Sequence, residues 1–329
     1  MKRTVALIYG GEGFEHEISC IGAENISAMI DRAQYDVLHV LITVKGEWFI
    51  RSAEKNLPTF PIFMNGKSGL LLDGEIIGID VALPLLHGDH GEDGEIMGAL
   101  KAAHIKFVGC DVLAGAVYAD KITTKLIADA LNIPTAKWVF STDEDPESVM
   151  QNAEETLGYP MFIKPAALGS SIGISKVSDR NEFNAAYKKA KAFCGRVLIE
   201  ECVRIKRELE CAYLGVGGKH LFKIGEILSD GHFYDFNKKY RTETETKAEI
   251  TEKSAEACVI KLADRLRRAA GVRQISRFDF FLTEEGEILF NEINTFPGMT
   301  KTSLYPLLTV KMGFCDGEFI NRLISETLI

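Results

Sequence analysis

The sequence has no long apolar run, no paired-cysteine motif and no excess of basic residues. Its first apolar stretch, residues 4–9, is only as long as a strand and too short for a signal-peptide core or a membrane span. The seven cysteines are scattered without a Cys-x-x-Cys pair, so we expect reduced thiols in a cytoplasmic protein. The formal net charge of −9 argues against non-specific binding of nucleic acid. We therefore expect neither nucleic acid nor membrane as a partner.

Two common nucleotide-binding motifs are also missing. No Gly-x4-Gly-Lys-Ser/Thr sequence occurs, which excludes a P-loop. The Gly-x-Gly-x-x-Gly pattern that begins at Gly11 is broken because His16 stands at its third glycine position, and this disfavours a dinucleotide-binding oxidoreductase. Glu15 and Glu17 follow this glycine turn. Their carboxylates are suited to an ammonium group, although glutamates after a turn are also commonly just solvated.

The pattern of apolar segments predicts an α/β and α+β protein with three domains. Residues 1–115 alternate short apolar runs with a helical pattern over 18–29, for which Ser19 is a candidate cap, and this is typical of a doubly wound α/β domain. Residues 116–206 mix helices and strands in a smaller α+β domain. Residues 207–329 predict an antiparallel sheet, a helix over 252–270 and a final strand pair at 276–282 and 287–291.

Lys164 closes a predicted strand and is followed within ten residues by a Gly-Ser loop, residues 169–173. Backbone N–H groups freed by glycine cradle phosphate, and serine hydroxyls add further donors. A plain hairpin turn accounts for the same residues, and the loop alone does not decide between the two interpretations.

Two short polar patterns near the carboxyl end predict a site for hard metal ions. In a strand, residues two apart share a face, so Arg277 and Asp279 lie on one face, as do Glu292 and Asn294. A hairpin between the two strands brings two carboxylates and an amide together, and magnesium prefers such oxygen ligands. Arg277 beside them is suited to stabilise developing negative charge. The alternative is a surface ladder of ion pairs.

With these segments in place, the chain resembles the ATP-grasp superfamily and, within it, the D-alanine–D-alanine ligase family. It is also similar to the vancomycin-resistance ligases of the D-Ala–D-Ser type. The resemblance runs from Gly10 to about Pro306. The matching segments, in chain order, are residues 10–19, 87–94, 120–121, 163–165, 169–173, 199–201, 233–240, 277–279 and 292–300.

The resemblance implies an ATP-grasp architecture, in which an N-terminal α/β domain and two α+β domains clamp ATP. It implies an ATP-dependent reaction in which the carboxylate of one D-alanine becomes an acylphosphate. The amine of a second D-amino acid then attacks the acylphosphate, which gives a dipeptide for peptidoglycan synthesis together with ADP and phosphate. It further implies two Mg²⁺ ions, with Mn²⁺ as a substitute, and a homodimer.

The resemblance also assigns roles to individual residues. Glu15 holds the first D-alanine ammonium with His87 nearby, and Ser170 and Tyr240 close the site through a hydrogen-bonded chain back to Glu15. Arg277 and the N–H of Gly298 stabilise the tetrahedral intermediate. The residues assigned to ATP are Lys121, Lys164, Glu200, Val203, Glu208 and Lys239. The metal ligands are Asp279, Glu292 and Asn294, and the second substrate's carboxylate is held by Ser303 and Leu304.

Three features depart from the family pattern. The linker 204–207 is strongly basic and lacks the glycine common there, the lid after Tyr240 lacks its usual proline, and Lys301 stands beside the second-substrate site. The altered lid suggests a change in specificity or in how tightly ATP consumption is coupled to product formation. Lys301 suggests a different or larger second substrate. Two alternatives therefore stay open beside a D-Ala–D-Ala ligase: another carboxylate–amine ligase of this superfamily, including a D-Ala–D-Ser ligase, and a non-catalytic nucleotide-sensing paralog.

Overall fold

The first sheet is built around a buried parallel strand. The computed structural model describes residues 2–52, 55–88, 90–227, 246–247, 249–250, 253–315 and 317–329. Strand β1 (Arg3–Gly10) pairs in parallel with β2 (Tyr35–Ile42) and β8 (Val81–Leu85), while β3 (Trp48–Arg51) and β4 (Asn56–Pro58) extend the sheet antiparallel beyond β2. The carboxyl ends of β1 and β8 therefore meet at one edge, where functional loops of such sheets usually lie.

Ser19 was the predicted cap of helix α1 (His16–Met29), but the helix begins three residues before it. Ser19 therefore does not cap the helix. Glu15 occupies the N-cap position, and Ser19 lies fully buried in the first turn. The Ser19 hydroxyl donates to the carbonyl of Leu85 and accepts from the N–H of Gly10. It thus fastens the helix to the ends of both β1 and β8, and this fixes the position of Glu15 just before it.

A three-stranded antiparallel sheet that was not predicted from the sequence lies between β4 and β8 in the chain. It consists of β5 (Pro61–Met64), β6 (Lys67–Leu72) and β7 (Glu75–Gly78). A signal for it was present, because Asn65-Gly66 and Asp73-Gly74 are dipeptides that favour tight hairpin turns. All four of these residues have positive φ, between 48° and 85°, as such turns require.

The middle of the chain forms a four-stranded antiparallel sheet covered by two helices. Its strand order is β11-β10-β12-β9, and α5 and α6 pack against it through a core that contains Phe183 and Tyr187. Helices α2, α3 and α4 connect it to the first sheet. The bounds are α2 (Glu95–Ala102), α3 (Val112–Ala119), α4 (Lys121–Ala130), β9 (Trp138–Ser141), α5 (Pro146–Thr156), β10 (Met161–Pro165), β11 (Ser175–Val177), α6 (Arg180–Phe193) and β12 (Val197–Glu201).

The last part of the chain forms a five-stranded antiparallel sheet of order β15-β14-β13-β16-β17. Both predicted final strands are confirmed and prove longer than expected. Among the described residues, no helix is both long and apolar enough to cross a membrane. The bounds are β13 (Ile205–Val216), β14 (Lys219–Ile227), β15 (Thr246–Lys247), α7 (Lys253–Ala269), β16 (Ile275–Thr283), β17 (Ile288–Asn294), α8 (Leu304–Lys311) and α9 (Glu318–Leu328).

The first and last sheets share one hydrophobic core, which holds the candidate site in place. Leu7 and Leu85 of the first sheet pack in the same cluster as Leu214 and Ile275 of the last. One face of β13 and β16 is thus apolar at this end, whereas further along the same face the residues become charged, beginning at Arg277. The change from apolar to charged along one strand face marks where the core ends and where a cavity between the middle and last sheets begins.

Candidate active site

Two carboxylates and one amide lie side by side on the hairpin formed by β16 and β17. Arg277 pairs with Asn294, and Asp279 pairs with Glu292, as the two-residue spacing predicted. The Asn294 amide donates to an Asp279 oxygen at 3.0 Å. Phe278 is fully buried in the core on the opposite face. The hairpin therefore presents a row of oxygen donors on a single face.

A β-bulge in β17 makes this arrangement possible. Asp279 pairs with Glu292 whereas the next residue, Phe280, pairs with Phe290, which leaves Asn291 as an extra residue. Because of this extra residue, Phe290 and Ile293 both reach the core although they are three positions apart. The sequence pattern alone gave no indication of the bulge.

A third carboxylate, which was not predicted from the sequence, completes the row. Strand β13 pairs with β16 so that Glu210 lies opposite Asp279, on the side away from Glu292. Glu210 lines the same cavity and is only 6% exposed. The alternation Glu208-Leu209-Glu210 was a usable signal, because it places two acidic residues on one strand face.

The guanidinium of Arg277 lies between two of these carboxylates. Its Nε and Nη2 each donate to an Asp279 oxygen at 2.7 Å, and Nε lies 3.4 Å from Glu210 Oε1. Burial alone would lower the pKa of Arg277, but Asp279 and Glu210 raise it well above its usual value. Arg277 therefore stays charged and offers a fixed positive charge inside a shielded site.

The middle and last sheets enclose a cavity of about 480 Å³ next to this row. Its walls combine donors from one sheet with the carboxylates of the other. The predicted ATP-site residues on these walls are Lys121, Lys164, Glu200, Val203 and Glu208. The walls also include Ser170, Arg277, Asp279 and Glu292. The structure thus brings together residues that lie up to 171 positions apart, from Lys121 to Glu292.

The cations of the cavity are held by a buried ion-pair network. Glu200 forms ion pairs with both Lys164 and Lys125, and Lys125 was not identified from the sequence. Burial would raise the pKa of Glu200, but the two ammonium groups lower it to about 2. Lys121 donates to the carbonyl of Leu168 at 2.6 Å. Burial lowers the pKa of Lys121, and the charge of Glu292 opposes this shift.

The Gly-Ser loop both closes a hairpin and lines the cavity. It joins β10 to β11, which pair antiparallel, so the turn interpretation and the binding interpretation describe the same loop. Ser170, Ser171 and Gly173 all have positive φ, at 52°, 59° and 75°. The Ser170 hydroxyl is buried and has no hydrogen-bond partner among the described residues. A ligand with polar atoms is the natural partner for such a group.

Glu15 is enclosed by the backbones of two glycines from separate loops. A Cβ atom on Gly88 would lie 2.5 Å from Glu15 Oε2, and a Cβ on Gly169 would lie 2.8 Å from the same atom. Glu15 itself is 7% exposed. His87, adjacent to Gly88, donates through Nδ1 to the carbonyl of Phe296 at 3.1 Å. Gly169 thus connects the Glu15 carboxylate directly to the cavity described above.

Gly169→Ala should displace the Glu15 carboxylate and leave the fold intact. The added methyl meets a flexible carboxylate, which must move, and a misplacement of about 1 Å at an active site lowers kcat/KM by ~10- to 100-fold. Steady-state kinetics at a limiting concentration of D-alanine, the first substrate that the resemblance implies, measure this loss. Gly195→Ala is the matched control, because nothing lies within 4 Å of its added methyl. Equal kinetics for both variants would contradict a role for Glu15 in binding substrate.

Glu92 ties the first-sheet loop to the end of β17. Its two oxygens accept from the N–H groups of Gly88 and Phe296, each at 3.0 Å. Burial, together with the negative charge of Glu15, raises the pKa of Glu92 to about 7. These contacts place the Glu15 and His87 loops against the hairpin that carries Arg277.

Glu92→Gln should flatten the pH dependence of stability. The raised pKa means that between about pH 4.5 and 7 folded Glu92 keeps a proton that the unfolded chain releases. The contribution of Glu92 to the free energy of unfolding therefore falls as pH rises, by up to about 1.4 kcal/mol per pH unit. Urea denaturation at several pH values measures the difference between wild type and variant. Exposed Glu155 on α5 provides the control Glu155→Gln. A constant difference between wild type and Glu92→Gln across this window would refute the shift.

The predicted second-substrate residues lie at the start of α8. Ser303 is at the N-cap position, and its hydroxyl accepts from the N–H of Thr300 at 3.1 Å. A Cβ on Gly298 would lie 3.0 Å from this hydroxyl. The Leu304 side chain is buried in the core shared by the first and last sheets, so only its backbone faces the helix start. Free N–H groups at a helix start favour a carboxylate.

The other predicted features are Lys239, Tyr240 with its lid, Lys301 and the basic linker. Lys239, Tyr240 and the lid residues 241–245 lie outside the described residues. Lys301 is exposed. In the basic linker, Arg204 lines the cavity and forms ion pairs with Glu284 and Glu285 at its rim. The positive charge of Arg204 is thus largely balanced by its neighbours.

Comparison with known proteins gives matches over nearly the whole chain. The family model described as D-ala D-ala ligase N-terminus matches residues 4–110, and the one described as D-ala D-ala ligase C-terminus matches residues 127–325. The D-alanine--D-alanine ligase of Deinococcus radiodurans is 39% identical, covering 100% of this chain and 99% of the relative. That of Streptococcus pneumoniae is 35% identical, covering 99% and 96%.

Solved structures give the same result. D-alanyl-alanine synthetase A from Vibrio cholerae superposes with a TM-score of 0.90 at 34% identity, covering 99% of this chain and 98% of that one. VanG D-Ala:D-Ser ligase from Enterococcus faecalis superposes with a TM-score of 0.89 at 31% identity, covering 99% and 100%. The predicted fold class and both resemblances, to D-Ala–D-Ala and to D-Ala–D-Ser ligases, are confirmed. The chain belongs to the D-alanine–D-alanine ligase family.

Proposed function

We propose that this protein joins two D-alanine molecules in an ATP-dependent reaction that supplies a peptidoglycan precursor. The observation that carries this proposal is the meeting, around one cavity, of lysines suited to phosphate, a row of carboxylates suited to metal ions and a loop that touches Glu15. The lysines, the carboxylate row and the loop at Glu15 are all needed to account for the proposed reaction. The family relationship supports the same reaction.

The first D-alanine binds with its ammonium group at Glu15. Its carboxylate then faces the cavity through the gap beside Gly169 and Ser170. An oxygen of this carboxylate attacks the γ-phosphorus of ATP, the bond to the β-phosphate oxygen breaks, and ADP leaves. The acylphosphate formed has phosphate as a good leaving group, whereas an oxide leaving directly from a carboxylate is a very poor one. ATP is therefore consumed to activate the carbonyl.

ATP lies in the cavity with its phosphates toward the lysines. Lys121 and Lys164 contact the phosphates, with Lys239 at the γ-phosphate, while Glu200, Val203 and Glu208 line the adenine and ribose site. Phosphate carries several negative charges, which the buried ammonium groups offset in a region shielded from water.

The carboxylate row fits two Mg²⁺ ions, for which Mn²⁺ is a substitute. Asp279, Glu292 and Asn294 would hold them, since hard oxygen donors in adjacent positions match the preference of Mg²⁺ for carboxylates together with substrate phosphate. When bound, the ions would offset the charge on the transferring phosphate. The protein's own part is to hold the three side chains in register on one hairpin.

Formation of the peptide bond depends on stabilising a tetrahedral oxyanion. The uncharged amine of the second D-alanine attacks the acylphosphate carbonyl, and the carbonyl oxygen becomes negative. The nitrogen gives up its extra proton, which leaves with the phosphate, as collapse of the intermediate breaks the bond between the carbonyl carbon and the phosphate oxygen. Arg277 and the Gly298 N–H are the proposed donors to the carbonyl oxygen. Ser170 and Tyr240 close the site through a hydrogen-bonded chain back to Glu15. Ser303 and the backbone of Leu304 would hold the second carboxylate at the start of α8.

D-serine is the second candidate for the second substrate. The similarity to VanG D-Ala:D-Ser ligase supports it. Lys301 supports it as well, since it is an exposed cation in the turn that the hydrogen bond from the Ser303 N–H to the Thr300 carbonyl closes. D-alanine and D-serine both carry the amine that attacks the acylphosphate and the carboxylate that the start of α8 would hold, so the reaction class is the same for either.

The deciding experiment measures phosphate release from ATP and magnesium with D-alanine alone, then with D-alanine plus D-serine or D-lactate. Products are identified by mass. Release with a D-Ala–D-Ala product supports the proposal. Release only with another partner would move the specificity to D-Ala–D-Ser or a related ligase. No release with any partner, although ATP binds, would favour a nucleotide-sensing role instead.

We also propose three domains, residues 1–115, 116–206 and 207–329. The first contains two sheets, the second contains one, and the third contains the five-stranded sheet apart from the first two residues of β13. The cavity lies between the second and third of these. The proposed assembly is a homodimer, which sedimentation velocity tests. The proposed location is the cytoplasm, where ATP is available as a substrate.

A further inference from the structure

Lys125 is buried beside the cavity but does not line it. It lies one helical turn after Lys121 on α4, and its side chain is only 3% exposed. Its ammonium group forms an ion pair with one oxygen of Glu200 and donates to the carbonyl of Ala136 at 3.3 Å. A buried ammonium group is costly unless it is paired, so this position calls for an explanation.

The other oxygen of Glu200 is bound to Lys164, which does line the cavity. One buried carboxylate thus divides its charge between two ammonium groups, one facing the cavity and one behind it. Without Lys125, the whole charge of Glu200 would act on Lys164. Lys164 would then be held more tightly and would be less available to an incoming phosphate.

We propose that Lys125 is a positioning residue that sets nucleotide affinity through Glu200 and Lys164, without touching the nucleotide. The proposal rests on the proposed function in that it takes the cavity to be the ATP site. Lys125 shares the charge of Glu200, so the ammonium of Lys164 remains available for phosphate. Although Glu200 is also assigned to the adenine and ribose site, both of its carboxylate oxygens pair with lysines. Loss of Lys125 therefore changes the availability of Lys164 at the phosphate end of the ligand.

Calorimetric titration of ATP and of adenosine into Lys125→Met tests this separation. We expect ATP to bind about tenfold more weakly and adenosine to bind as in wild type. In steady-state kinetics KM for ATP should rise while kcat changes little. Lys125→Arg, which keeps a charge toward Glu200, should recover most of the affinity and serves if the methionine variant does not fold. An equal loss for ATP and adenosine would mean a merely structural role and would overturn the proposal.

A double-mutant cycle with Lys164→Met tests the route of the effect. If Lys125 acts through Lys164, Lys125→Met should cause no further loss of ATP affinity once Lys164 is methionine. Additive losses would overturn the proposal. Failure of the wild-type protein to bind ATP at all would instead refute the proposed function, so the two failures are distinguishable.

Discussion

Arg277→Ala is expected to lower turnover by about 10²–10³-fold, the usual effect of removing one donor from an oxyanion site. The guanidinium is buried, and the carboxylates of Asp279 and Glu210 keep it charged. Its contribution is made mainly when negative charge develops on the reacting carbonyl. We therefore expect the loss in kcat, with ATP affinity nearly unchanged.

The same substitution leaves Asp279 and Glu210 buried without their shared cation, which destabilises a fold by about 3–5 kcal/mol. Arg277→Lys separates the two effects, because lysine restores a charge but not the two parallel hydrogen bonds to Asp279. We expect Arg277→Lys to have a melting temperature near that of the wild type, whereas its kcat should remain low. Arg268→Ala is the control, since Arg268 is exposed and pairs only with Asp264 among the described residues. Normal turnover in Arg277→Ala would refute the assignment.

The hairpin of Arg277 illustrates how far the sequence predicts such a site. The spacing of Arg277-x-Asp279 and Glu292-x-Asn294 predicts a shared face, because side chains alternate along any strand. The pairing of Asp279 with Glu292 confirms that register. The bulge at Asn291 was not predictable from the sequence. The pattern Glu292-x-Asn294 covers only two polar positions, and an extra residue just before them does not change their spacing.

Contacts between distant segments were the least predictable. Glu210 joins the carboxylate row only because β13 pairs with β16, and nothing within either strand specifies that partner. Lys125 forms an ion pair with Glu200, which lies 75 positions later in the sequence, and nothing near either residue specifies that partner. In contrast, the strands β5 to β7 could have been identified, since both hairpins have local turn signals at Asn65-Gly66 and Asp73-Gly74. Local geometry is encoded locally, whereas the site depends on which strands meet.

The approach of two glycines to Glu15 is a further case. Gly88 and Gly169 belong to loops that the sequence identifies only as glycine turns, and a turn requires no particular neighbour. Glycine is required at both positions because an oxygen of Glu15 lies within 2.8 Å of where a Cβ atom would stand. Gly169→Ala therefore tests an aspect of the site that only the three-dimensional structure revealed.

Glu292→Gln should weaken divalent-metal binding more than the roughly 10- to 100-fold that follows loss of an outer-shell partner, because Glu292 is proposed to contact the ion directly. Binding of Mn²⁺, followed by its electron paramagnetic resonance signal, measures this without reference to activity. Glu287→Gln is the matched control, since Glu287 lies exposed on the same hairpin, just before β17.

The expected effect on ATP has the opposite sign when metal is absent. The charge of Glu292 acts on Lys121 and would repel the phosphates of ATP. Glu292→Gln removes that repulsion, so metal-free ATP should bind at least as tightly as it does to wild type. Weaker metal binding together with undiminished metal-free ATP binding would distinguish a metal ligand from a residue that merely supports the cavity. Parallel loss of both would show that Glu292 supports the walls and that the metal lies elsewhere.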